Sequence, residues 1–205
     1  MKKGLFIVIE GGDGCGKTSV INGLKQTYKQ ATFLREPGGT EFGEKVRDLI
    51  MNCAEINKTT EMYLFSASRS ELVQKVIIPK LNTGELIICD RFVYSSYAYQ
   101  GAGAMLGEEN VKMVNSFALN GIKPDLVIYL KVQKSFRTGN ENRLDERNAD
   151  ENMRIYASYD KMAQQEDNFY VLNVLDKTPE EVLSEVASQI DNKILQIKKI
   201  SKTSK

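Results

Sequence analysis

Along the chain, short runs of apolar, β-prone residues alternate with longer stretches in which apolar positions return every three or four residues. The short runs are Leu5–Glu10, Thr32–Arg35, Leu86–Asp90, Leu126–Leu130 and Tyr170–Val174. The periodic stretches predict helices over about Thr18–Lys29, Glu41–Cys53, Thr60–Leu81, Glu108–Leu119, Glu151–Glu166 and Pro179–Ile200. Strands and helices in alternation predict an α/β fold, a five-stranded parallel sheet with helices on both faces. Punctuation supports these bounds. Thr40 and Thr178 stand as N-caps, the second followed by Pro179 in the first turn, while Asn82-Thr83-Gly84 and Asn120-Gly121 stand where two helices must stop. No internal repeat or linker divides residues 1–205, which read as one domain. Two stretches break the regularity. Residues of about 134–150 are charged, contain Gly139 and carry Arg137, Arg143 and Arg147, as a solvated loop or a short mobile lid would. The lysine-rich end, about Lys198–Lys205, reads as a disordered, fraying tail.

Between the first run and the first helix lies Gly11-Gly-Asp-Gly-Cys-Gly-Lys-Thr18, which fits the pattern G-x-x-x-x-G-K-[ST]. In such a loop the glycines let successive backbone N–H groups converge on an anion, and the following helix adds its unpaired N–H groups and dipole. Gly11, Gly12, Asp13, Gly14, Cys15, Gly16, Lys17 and Thr18 would then cradle the phosphates of a nucleotide. Lys17 reaches the β- and γ-phosphates, and Thr18 offers its hydroxyl to Mg²⁺. A plain glycine-rich connection is the alternative. The third run ends in Asp90-Arg91, at the carboxyl edge of the sheet where open α/β folds bind ligands. There Asp90 can hold a metal through water and Arg91 can bridge phosphates bidentately, although the same pair is also common on surfaces. Phe65 and Arg69 are four apart on a helix and so share a face, which suits a pyrimidine; a core Phe65 and a solvated Arg69 are the alternative, although Leu72, Val73, Val76 and Ile77 already give that helix its core.

Composition narrows the chemistry. A chain of 205 residues with 41% hydrophobic content can bury a full core. Lys+Arg of 28 against Asp+Glu of 27 leaves a net charge of +1, so no global field would hold nucleic acid or an anionic membrane. Any phosphate ligand must be captured locally. The absence of histidine excludes a Ser-His-Asp triad and a histidine metal centre, whereas phosphoryl transfer relies on positioning, Mg²⁺ and cationic clamps. Three cysteines without C-x-x-C spacing argue against a disulfide framework and a zinc site, and fit a cytoplasmic, reducing compartment. The apolar run after Met1-Lys2-Lys3 stops at Glu10, too short for secretion or membrane spanning. Cys15, beside Lys17 and a helix N-terminus, is expected to react with alkylating reagents faster than Cys53 or Cys89, unless it is a small side chain packed under the loop.

Taken in order, the loop with Asp13, Arg35-Glu-Pro-Gly-Gly-Thr40, Phe65-Ser-Ala-Ser-Arg69, Asp90-Arg-Phe-Val-Tyr-Ser-Ser-Tyr-Ala-Tyr-Gln-Gly101 and Asn142-Arg-Leu-Asp145 give the chain a specific likeness. Over nearly its whole length it resembles the bacterial thymidylate kinases, nucleoside monophosphate kinases of the P-loop NTPase fold. The resemblance implies transfer of the γ-phosphoryl of ATP to thymidine 5′-monophosphate with Mg²⁺, towards dTTP, by a homodimer. It implies catalytic roles for Lys17, Asp90, Arg91 and Arg143, with Arg147 second to Arg143. It puts Asp13 under the sugar 3′-hydroxyl and Tyr99 against C2′, where it disfavours ribonucleotides. Glu36 and Pro37 fall beside the substrate phosphate, with Glu36 and Asp90 on metal-bound water, and Arg47 anchors the acceptor phosphate. Phe65 stacks on thymine, Arg69 donates to a base carbonyl, and Ser96 and Gln100 lie near the base. Some members carry arginine where this chain has Gly14, so here the lid must supply that cation. The stretch after Leu130-Lys-Val132 also lacks the family's usual proline and acid and reaches Asn142 early, which leaves the lid's length and the part of Arg137 open. Another nucleoside or deoxynucleoside monophosphate kinase, or a nucleotide-driven switch, would use the same loop. The switch calls for Asn-Lys-x-Asp, and Asn57-Lys58 is followed by Thr59-Thr60.

Overall fold

Strands β1 (Leu5–Glu10), β2 (Thr32–Arg35), β3 (Leu86–Asp90), β4 (Leu126–Lys131) and β5 (Phe169–Asn173) form one sheet in the order β2-β3-β1-β4-β5. Every neighbouring pair is parallel. The architecture is that of a computed structural model, which describes residues 4–53, 55–132 and 147–203. Residue alternation along the central strands feeds two cores. Phe6 and Val8 of β1, Ile87 and Cys89 of β3, and Val127 and Tyr129 of β4 enter one; Leu5, Ile7, Ile9, Ile88, Ile128 and Leu130 enter the other. Because both faces are covered, these strands read as continuous apolar runs.

Helices α1 (Lys17–Thr27) and α8 (Pro179–Thr203) cover the second face, through Val20, Ile21 and Leu24 and through Val182, Val186 and Ile190. The other face is covered by α3 (Lys58–Leu72), α5 (Val93–Ser96) and α7 (Ala149–Gln165), while α2 (Glu41–Asn52) packs on α3, and α3 on α6 (Glu108–Leu119). Capping explains the starts. Thr40 accepts from Gly43 N–H at the head of α2, Asn57 from Thr60 N–H at α3, and Asn148 from Glu151 N–H at α7. At α8, Thr178 and Glu181 exchange backbone and side-chain bonds reciprocally, a capping box.

Three departures from the sequence reading have physical causes. The helix expected over Thr60–Leu81 starts at Lys58, passes through a π-helical turn at Val73–Ile77 and ends as α4 (Ile78–Asn82). Pro79 lacks an N–H and crowds the preceding turn, and a widened turn ahead of it keeps the rod continuous. A helical segment absent from that reading, α5 followed by a π-helical stretch at Tyr97–Gly103, comes directly after β3. Its aromatic and serine-rich sequence has low helix propensity, so tertiary packing sets it. The end of the chain, read as a tail from about Lys198, is helical as far as Thr203, because the apolar stripe of α8 continues through Ile194 and Ile197 onto the second core.

The strand order sets the carboxyl ends of β2, β3 and β1 side by side. Arg91 N–H donates to Ile9 O, and Glu36 N–H to Asp90 O, both at 3.0 Å, so the turns that follow the three strands stay in register with one another. The crevice there is where such folds place ligands.

Candidate active site

The glycine-rich loop leaves β1 and enters α1 through Gly16, whose φ of 91° is a left-handed value that a side chain would strain. Lys17 folds back over the loop, and its Nζ donates to Gly11 O at 3.0 Å and Gly12 O at 2.8 Å. The ammonium therefore sits over the loop rather than in solvent, with 8% of the residue exposed. Thr18 is exposed in the first turn of α1. Cys15 turns inward and packs in the second core, where its Sγ accepts from Lys17 Nζ at 3.5 Å. The expectation of a fast-reacting Cys15 therefore gives way to its alternative, the small packed side chain. Cys53 is the exposed thiol, while burial pushes the Cys89 thiol well above its usual range.

Beside the loop, Asp13 gathers donors from distant parts of the chain. Arg91 Nη2 donates to Oδ1 at 2.6 Å, and Arg147 Nη1 and the Tyr99 hydroxyl donate to Oδ2 at 2.9 and 3.1 Å. Burial alone would raise the Asp13 carboxyl, yet Arg91, Arg147 and Lys17 together hold it below its ordinary range. Arg91 has φ of 66° and is further fixed by Gly11 O and Ser95 Oγ, at 3.0 and 3.2 Å. Beneath this turn lies Glu10, fully buried. Its Oε1 takes the N–H groups of Phe92 and Ser95, and its Oε2 takes the hydroxyls of Ser95 and Tyr159. Glu10, Ser95 and Tyr159 were not among the residues read as functional from sequence.

A second cluster surrounds Arg69, which is 1% exposed rather than solvated. Its Nε and Nη2 both donate to Glu36 Oε2, at 2.8 and 2.6 Å, and its Nη1 donates to Ser96 Oγ at 3.0 Å and to Asn115 Oδ1. Four of the five guanidinium hydrogens are engaged, which leaves one on Nη2 without a partner among the described residues. Asn115 is a residue that could have been noticed. It occupies a buried position between Val111 and Ala118 on the apolar stripe of α6, where a polar side chain needs a purpose. Gln100 Nε2 donates to buried Glu61 at 3.3 Å. Phe65 is half-buried and belongs to neither core, as a side chain reserved for a ligand would be.

Arg47 Nη1 donates to Pro37 O at 3.1 Å, after the cis Glu36–Pro37 peptide. The structure thus joins Asp13, Arg91 and Tyr99 directly, and Glu36, Arg69 and Ser96 directly; Arg47 and Gln100 stand beside these groups on other partners. Two buried carboxylate oxygens, Glu36 Oε1 and Asp90 Oδ1, have no hydrogen-bond partner among the described residues. Unpaired buried acceptors fit water molecules held by a cation. Among the described residues no three carboxylate or cysteine groups converge as a protein-built metal cage, so a cation here would depend on the nucleotide's phosphates. Arg137 and Arg143, with most of the expected lid, lie outside the described residues.

Residues 9–186 match the family model described as thymidylate kinase. A thymidylate kinase of Mycoplasma genitalium is 43% identical over 158 residues, covering 71% of this chain and 75% of its own. One from Shouchella clausii is 34% identical, covering 97% of this chain and 100% of its own. The crystal structure of thymidylate kinase from Ehrlichia chaffeensis superposes with a TM-score of 0.76 at 26% identity, over 92% of this chain and 99% of that one. The match runs from the end of β1 into α8 and takes in both clusters and the glycine-rich loop, and the chain belongs to the thymidylate kinase family.

Proposed function

We propose that this site transfers the γ-phosphoryl group of ATP to thymidine 5′-monophosphate, with the residues described above in defined parts. The observation that carries the reading is that one segment, Asp90–Gln100, joins the phosphate loop to the buried Arg69 cluster: Arg91 contacts the loop and Ser96 contacts Arg69. Lys17 and the loop N–H groups hold the donor phosphates. Arg91 spans towards the acceptor phosphate, with Arg47 behind it. Phe65 and Arg69 take the base, with Ser96 and Gln100 beside them, while Asp13 and Tyr99 take the sugar. Arg143 supplies the lid cation. Mg²⁺ on the phosphates would spread their negative charge, held by Thr18 directly and by Asp90 and Glu36 through water. Such transfer needs little covalent chemistry from the protein, which fits a chain without histidine. Coupled ADP release with each nucleoside and deoxynucleoside monophosphate in turn tests the reading. Thymidine monophosphate is expected to be the preferred acceptor, and preference for another would reject the base assignment.

The same proposal includes a homodimer in the cytosol. Its support is a set of exposed apolar side chains on three helices packed in succession, Phe42 and Leu49 on α2, Tyr63 on α3, and Met113 and Phe117 on α6. Free cysteines at 15, 53 and 89 suit a reducing compartment, and no helix among the described residues is long and apolar enough to cross a membrane.

Glu36 gives the reading a pH signature. Burial pushes its carboxyl up to about 7, against the pull of Arg69, and the charge of Glu10 adds to the rise. If ionised Glu36 serves the metal-bound water, kcat/KM for the acceptor falls as pH drops below about 7, and Glu36→Gln flattens that limb. The effect on stability has the opposite sign. A carboxyl with a raised folded-state pKa binds its proton more tightly when folded, so its contribution is greatest at low pH and is lost as pH rises towards 7. A limb that persists unchanged in Glu36→Gln would assign the titration to another group.

A further inference from the structure

Arg147 precedes α7 and reaches Asp13 from a position 134 residues away in sequence. Its side chain is 12% exposed, its guanidinium carbon lies 4.5 Å from the centre of the Tyr99 ring, and its Nε faces Glu151 Oε1 at 3.6 Å. This contact differs in kind from that of Arg91, which is also tied to Gly11 O and Ser95 Oγ and so belongs to the frame of the loop. A carboxylate oxygen offers about two lone-pair directions. On Oδ2 both are taken, by Arg147 and by Tyr99; on Oδ1 Arg91 takes one, and among the described residues nothing takes the other.

We propose that Arg147 is a positioning residue for the acceptor sugar: with Tyr99 it fixes the rotation of Asp13, so that the open direction of Oδ1, beside Arg91, receives the 3′-hydroxyl. The inference rests on the reading that places the sugar at Asp13 and Tyr99. It gives Arg147 a task different from that of a cation on the transferred phosphoryl group, the part for which it stood second to Arg143. Such a cation contributes mainly in the transition state and would govern kcat. A residue that orients a hydrogen-bond acceptor for the bound sugar governs acceptor affinity, and only for acceptors that carry the hydroxyl.

The test crosses the protein variant with the substrate. Wild type and Arg147→Gln are assayed with thymidine 5′-monophosphate and with its 3′-deoxy analogue, at saturating Mg-ATP. Wild type is expected to prefer the hydroxyl-bearing acceptor by about tenfold or more in kcat/KM, as one hydrogen bond to a charged group allows. In Arg147→Gln that preference shrinks to about threefold or less, through a higher KM for the natural acceptor, while kcat and the constants for the 3′-deoxy analogue stay close to wild type. Arg147→Lys, which keeps the charge but not the fork, recovers part of the preference. An equal loss of kcat with both acceptors would overturn the proposal in favour of a transition-state cation. A preference that survives intact in Arg147→Gln would overturn it outright, as would a common loss tracking a lowered melting temperature in both variants. If wild type turns over both acceptors alike, the sugar is not read at Asp13 and the proposal falls while the kinase reading stands; the kinase reading falls only if wild type fails to phosphorylate thymidine monophosphate.

Discussion

Replacing Lys17 with alanine lowers turnover by about 100-fold or more and leaves the fold in place, because the ammonium is needed most as the phosphoryl group moves. The geometry supports both halves of that expectation. Lys17 sits at the start of α1, where an alanine is at least as good a helix former, and its Nζ is held by the carbonyls of Gly11 and Gly12, at 3.0 and 2.8 Å, and by Cys15 Sγ at 3.5 Å. Those neutral acceptors are the weaker partners for a cation, and phosphate oxygens in the loop would take the ammonium from them. Steady-state kcat together with a thermal melt separates the two effects. A folded Lys17→Ala protein with near-normal turnover would remove the loop from the chemistry. Lys17→Met, which keeps the length of the side chain, distinguishes lost charge from a collapsed loop.

Arg91→Ala is expected to cost more, about 10³-fold in kcat, the scale of a cation that meets the charge on a transferring phosphoryl group. Arg91 holds three places at once, on Gly11 O, Ser95 Oγ and Asp13 Oδ1, and its planar fork matches phosphate oxygens bidentately. Lysine cannot span that set, so Arg91→Lys should regain no more than about a tenth of the lost rate. Because Arg91 also supports the loop, kcat is read against the melting temperature and against the KM for ATP. A loss confined to KM and stability, with kcat within about tenfold of wild type, would make Arg91 a strut rather than a participant.

Much of the frame was written locally. The five apolar runs are the five strands, and the glycine-rich pattern stands between strand and helix as its residues required. Period-two alternation was hidden because both sheet faces are buried, yet the length of each run and its flanking turns still marked it as a strand. What could not be read depends on partners far apart in sequence. Phe65 and Arg69 were legible as neighbours on one helix, but the enclosure of Arg69 by Glu36, Ser96 and Asn115 arises only when α3, α6 and the turn after β2 come together. Glu10 looked like the last residue of a strand; its role as an internal acceptor for Phe92, Ser95 and Tyr159 spans up to 149 residues. Cys15 shows the reverse difficulty: its neighbours in sequence pointed to reactivity, and only its rotation into the core decides otherwise.

A guanidinium with one hydrogen left to give can offer a bond and can never accept one. Arg69 is held in that condition by Glu36, Ser96 and Asn115, and its burial denies it the solvent that would let it turn away or be compensated. If the base meets Arg69 as proposed, one that presents a carbonyl oxygen to Nη2 completes the set. A base that presents an amino group there sets donor against donor and leaves buried hydrogens unpaired, at roughly 1–3 kcal/mol for each stranded group. On the proposed placement of the base at Arg69, fidelity works chiefly by refusal: internal bonds closed before any ligand arrives make the wrong pyrimidine costly, while the right one adds a single hydrogen bond.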